Sequence, residues 1–182
     1  MSYDSRPAAG EFAGFYQKYV DLVPDGDIIA ILATQLDDTS ALLRELTDQQ
    51  SLYAYAPGKW SVKQVVGHLT DSERIFACRA LRFARGDQTP LPGFDEVPYA
   101  AAGEFDQRPL ASLLAELSGG RRSTLALLAG LPADAWTRGG SANGQHVTVR
   151  ALAWITAGHE LHHREILASR YLEGLFARQA FG

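Results

Sequence analysis

A single cysteine, Cys78, stands in 182 residues, which excludes an internal disulfide framework. Positive charge is in no excess: 17 Lys and Arg meet 21 Asp and Glu, for a formal net charge of −4. Nothing here is built to track a phosphate backbone, so nucleic acid is disfavoured as a partner. No run approaches the roughly 20 apolar residues of a membrane span, since the stretch Leu152 to Ile155 soon meets His159 and Glu160. The first residues, Met1-Ser2-Tyr3-Asp4-Ser5-Arg6-Pro7, lack the basic and then apolar order of a secretory signal, and a cytoplasmic protein is expected. Repeats and low-complexity tracts are missing. β-Branched alternation is scarce, and the hairpin-like dipeptide Asn143-Gly144 lies in a polar stretch, so no sheet is expected. What is plentiful is apolar content, 46%, enough for one domain over residues 1–182 to bury a core.

Four segments carry a helical period. The first follows Asp27, a good N-cap, with Ile29, Leu32, Leu36, Leu43 and Leu46 on one side. The second opens at Ser61 and runs to about Arg85, where Gly86-Asp87 ends it; its stripe is Val62, Val65, Val66, Leu69, Phe76, Ala80 and Phe83. The third spans Pro109 to Gly130, and the pair Gly119-Gly120 inside it costs roughly 2 kcal/mol against alanine, leaving a kink or break open. The fourth runs from Thr148 to Tyr171. These segments predict an all-α four-helix bundle with connections longer than ten residues between helices, which permits crossover order as readily as up-and-down order. Residues 1–23, with Phe12, Phe15, Tyr16 and Tyr19 at helical spacing, read as a short N-terminal docking helix. The stretch from Gly86 to Gln107 mixes turn formers with aromatics and is expected to cover an end of the bundle.

The histidines carry the chemistry. On a helical wheel Leu152, Ile155, Ile166 and His163 all fall within about 40° of His159, so two imidazoles sit in the middle of an apolar stripe. Histidines at i and i+4 stack one turn apart and aim the same way. A purely structural pair would need polar partners that the leucine-rich first and third segments barely supply, whereas one divalent metal satisfies both rings. Residues 159–163, His-Glu-Leu-His-His, match the H-E-x-x-H peptidase signature, but no histidine follows His163 to complete that site. A third ligand must come from upstream. His68, on the shoulder of the second helix's core face, is the best candidate, and His146 has a weaker claim.

Around them, Cys78 reads as an inert core or boundary residue, Glu73 and Glu160 as helix-surface contacts, and Trp60 and Trp154 as packing residues, with Trp60 also able to wall a cleft. Arg79 falls within about 20° of His68; a solvated face or salt bridge is its ordinary reading and an anionic substrate the sharper one.

The stretches Pro57-Gly58-Lys59-Trp60-Ser61-Val62-Lys63-Gln64-Val65-Val66-Gly67-His68-Leu69, Arg82 to Asp87, Pro90 to Asp95 and Gly158-His159-Glu160-Leu161-His162-His163 together resemble the DinB/YfiT-like superfamily of metal-dependent enzymes. The resemblance implies a four-helix bundle, a nickel or zinc ion on His68, His159 and His163 with His162 beside it, and a homodimer. By this resemblance the first reading is thiol-dependent S-transfer to a small-molecule electrophile with a low-molecular-weight thiol as cofactor, and the second is hydrolysis by metal-activated water; from a different class, a non-enzymatic stress-related bundle with a structural metal is the third.

Overall fold

In a computed structural model, which describes residues 5–175, the segment before the first long helix is docked onto the bundle. A 3-10 turn, Gly14–Tyr16, leads into the short helix α1, Gln17–Val20. Arg6 pins this segment by donating to the carbonyls of Val20 and Val23 at 2.6 and 2.7 Å, and its guanidinium lies 4.6 Å from the ring centre of the buried Trp154. The docking helix expected within residues 1–23 is therefore present, with residues 1–4 outside the described part.

Four long helices follow the predicted boundaries closely. Helix α2, Ile28–Leu43, starts where the Asp27 carboxylate accepts from the amide of Ile29 at 2.8 Å. Helix α3, Val62–Ala84, opens with a reciprocal capping box between Ser61 and Gln64, which satisfies two otherwise orphaned amides. A short helix α4, Glu96–Ala102, lies inside the covering segment. Helix α5, Leu110–Ala129, continues unbroken through Gly119 and Gly120. Helix α6, Val149–Ile166, widens into a π-helical turn, Leu167–Leu172, where a regular helix was expected to Tyr171.

Helices α2 and α3 each pack against both α5 and α6, so α2 and α3, consecutive in sequence, stand as a diagonal pair. The long connection between them crosses the bundle. The core is divided along its length: one apolar cluster contains Leu32, Phe76, Leu128 and Ile155, and another contains Leu36, Leu69, Leu117 and Leu167. On each of the four long helices a buried polar residue falls between the two clusters, namely Gln35, Glu73, Arg121 and Glu160.

The expectation of no sheet fails at one place. Strand β1, Gly139–Ala142, pairs antiparallel with β2, Gln145–Thr148. Asn143 and Gly144 form the two-residue turn with φ of 53° and 70°, the left-handed pair that a type I′ hairpin requires. The strands are too short and glycine-rich to announce themselves by alternation. Their register is instead set by packing, as Gly140 lies so close to Phe83 that a Cβ would come within 2.3 Å of the ring.

Candidate metal centre

Both segments that supply the histidines approach their neighbours through glycine. Gly67, just before His68, faces Phe105, whose ring would sit 2.4 Å from an added Cβ. Gly158, just before His159, lies against the backbone of α1, where an added Cβ would come within 2.0 Å of the Tyr19 carbonyl oxygen. These contacts press a cover onto the two helices beside the imidazoles. Tyr19 then stands edge-on to His159 and His162, each with ring centres 5.4 Å apart.

His68, His159 and His163 converge: one ring nitrogen from each lies within 4.8 Å of the others. The Nε2 atoms of His68 and His159 are 3.0 Å apart, and the rings of His68 and His163 meet edge-on at 4.9 Å. Burial pushes the His68 imidazole down to about 4, against the opposing pull of Glu96. His163 is lowered to about 3 by burial first and then by the neighbouring His68 and His162. His159 is lowered well below the usual histidine range by burial first and then by the neighbouring His163, His68 and His162. All three are therefore neutral near pH 7, the state in which imidazole offers a lone pair. Three neutral nitrogen donors converging from two helices fit a divalent first-row ion as a donor set.

The trio opens into a cleft of about 310 Å³ whose lining includes Trp60, Ser72, Phe76, Arg79, Phe94 and Asn143. Trp60 walls it, with its ring 4.8 Å from that of His68. His162 is half-buried in the lining but outside the trio, and His146 is exposed on β2, away from it. The hairpin missed by the sequence reading supplies a second wall. Its strand β1 and Asn143 bind Leu91 through backbone bonds of 2.9 and 3.0 Å, and the Asn143 side chain packs against Gly93 so closely that a Cβ there would lie 2.2 Å from Oδ1. The dipeptide Asn143-Gly144 was the signal that could have found this wall.

Three further readings need correction. Glu73 and Glu160 are buried rather than on the helix surface, because Arg121 reaches between them. It donates to Glu73 at 2.7 and 3.0 Å, to Glu160 at 2.7 Å and to the Leu32 carbonyl at 2.7 Å. Thr39 donates to the remaining Glu160 oxygen at 2.7 Å. Cys78 is exposed, neither core nor boundary.

The three convergent histidines come from the second and last long helices of a four-helix bundle and offer one donor set for a metal ion. The sequence profile of the DinB superfamily matches residues 31–167, and the chain belongs to that superfamily. A Bacillus pumilus protein named "Putative metal-dependent hydrolase" is 27% identical over 126 residues, 68% of this chain and 71% of that one. YfiT from Bacillus subtilis, described as a probable metal-dependent hydrolase with an unusual four-helix bundle topology, superposes with a TM-score of 0.69 at 21% identity, covering 97% of this chain and 94% of its own. The mycothiol-dependent maleylpyruvate isomerase superposes with a TM-score of 0.65 at 15% identity, over 86% of this chain and 68% of that one. Among the described residues no helix is long and apolar enough to cross a membrane.

Proposed function

We propose that His68, His159 and His163 hold one divalent ion, nickel or zinc, and that residues 1–182 act as one domain carrying a thiol-dependent transferase. The observation that favours thiol over water is the fate of the acid in His-Glu-Leu-His-His. A hydrolase of that signature uses the glutamate as a base toward water, but here Glu160 is turned into the core and committed to Arg121 and Thr39. Glu73 is committed likewise. Neither carboxylate lines the cleft; the one that does among the described residues, Glu96, is exposed on α4.

A bound ion with an open position supplies Lewis acidity, enough to ionise a coordinated thiol outright without a general base. The chain's own residues do the rest. Burial keeps the three rings neutral and directed at one point, Tyr19 and Trp60 exclude bulk water from two sides, and the cleft beyond receives a small electrophile. Hydrolysis is the second reading, favoured by the names of the Bacillus pumilus and Bacillus subtilis relatives.

Cobalt-substituted protein tests the choice. A sulfur-to-metal charge-transfer band on adding glutathione or a cysteinyl-sugar thiol, with metal-dependent thiol consumption against a halo-arene, supports transfer. No band across that panel, with metal-dependent cleavage of an activated ester, supports hydrolysis. The homodimer belongs to the same proposal: a light-scattering mass of two chains supports it and a single-chain mass overturns it.

A further inference from the structure

Two buried arginines sit in opposite circumstances. Arg121, 1% exposed, has two carboxylates. Arg79, 5% exposed, has none among the described residues and lines the cleft. Its Nη2 donates to the Pro92 carbonyl at 2.8 Å, and its guanidinium lies by the Tyr16 hydroxyl, which burial nevertheless holds above the ordinary tyrosine range. A guanidinium carries five N–H donors and cannot shed its proton, and a charge this deeply buried is normally paired. Ser72 offers a second, independent sign. It is 1% exposed, lines the same cleft, and its Oγ has no hydrogen-bond partner. On α3 the positions of His68, Ser72 and Arg79 lie within about 40° of one another, so one stripe of a single helix runs from the histidine trio through an orphan hydroxyl to an unpaired cation.

We propose that Arg79 and Ser72 anchor the substrate, and that it is a small organic monocarboxylate with an apolar body. This deepens the reading above, which it needs for the reacting end of the molecule but not for the anchor. A carboxylate takes two parallel N–H bonds from one guanidinium. Among the described residues Arg79 is the only Lys or Arg in the cleft lining, so the second charge of a phosphate would go unmatched. Trp60, Phe76 and Phe94 provide aromatic walls for the apolar body. Arg79 lies eleven residues beyond His68, about 16 Å along the helix, and its Cβ tilts back toward the histidines. A molecule of several carbons thus spans from anchor to trio within about 310 Å³.

Benzoate and benzamide, alike in shape and different in charge, are the probes, titrated calorimetrically into EDTA-treated and nickel-loaded protein. Benzoate should bind wild type about tenfold or more tighter than benzamide, and this preference should vanish in Arg79→Gln. Ser72→Ala, which removes a hydroxyl that bonds nothing, should weaken benzoate several-fold without lowering the Tm, and Glu96→Gln should leave benzoate bound. Equal binding of the two probes by wild type overturns the proposal even if Arg79→Gln fails to fold, as does a Ser72→Ala variant that binds like wild type. Benzoate preference that persists without metal and in His163→Ala supports the anchor while separating it from the metal reading, which the nickel content of the same samples tests.

Discussion

Glu160 follows His159 in the chain, yet its carboxylate turns away from the cleft to meet Arg121 of α5 at 2.7 Å. Through Glu73 on α3 and the Leu32 carbonyl on α2 as well, that one guanidinium ties α5 to the other three long helices. It fixes their heights relative to one another at the level where the two apolar clusters part.

Removing the cation should be costly, because two buried carboxylates would remain together without compensation. Arg121→Met is expected to lose about 3–5 kcal/mol in urea unfolding. Adding Glu73→Gln and Glu160→Gln to that variant should recover about half of the loss. A single Arg121→Met that unfolds at the wild-type midpoint would show that the network contributes nothing to stability.

Glycine substitutions should divide by position. Gly158→Ala forces a Cβ into the Tyr19 carbonyl, and is expected to cost about 1–3 kcal/mol with displacement of the N-terminal segment. Gly119→Ala and Gly120→Ala meet nothing within 4 Å and should each stabilise by up to about 1 kcal/mol. Thermal melts of the three variants, with near-ultraviolet dichroism for the first, check both directions.

Metal-free protein should be acid-sensitive. The three histidines are held neutral in the fold, with His68 near about 4 and His163 near about 3, whereas in the unfolded chain each takes a proton near pH 6.5. Below that value the unfolded state binds more protons, so stability is full above about pH 6.5 and falls as the pH drops toward about 4. The loss at pH 5 is expected at about 1–2 kcal/mol per histidine. Urea melts in EDTA at pH 7.5, 6 and 5 should show it, and His159→Gln should flatten the slope.

Loaded with nickel or zinc and desalted, the protein should retain about one ion per chain by elemental analysis, since the trio offers one site. His68→Ala, His159→Ala and His163→Ala combined should retain almost none. Chelation should lower the Tm while leaving helicity in place, because the two apolar clusters hold the bundle without a metal staple.

The four helices and the histidine pair were legible because each rests on local signals: the caps Asp27 and Ser61, the leucine stripes, and an i, i+4 histidine pair at the centre of one. The Arg121 network was not. A wheel drawn for one helix places Glu160 about 100° from His159 and reads that as solvent, whereas the facing helices surround that direction too. The charge of Arg121 gave no hint that it would be buried, since only its partners on other helices make burial tolerable. The hairpin stayed hidden for the opposite reason, as Gly139 and Gly140 carry no strand propensity and are held by Phe83 and the covering loop.

The separation of 91 positions between His68 and His159 also imposes an order on biogenesis. A ribosome releasing this chain presents α3 with one isolated imidazole long before α6 exists, and a lone histidine is a poor trap for any ion. The site closes only once the last long helix has docked against the N-terminal segment through Gly158. The three-nitrogen donor set thus comes into being only at that docking step.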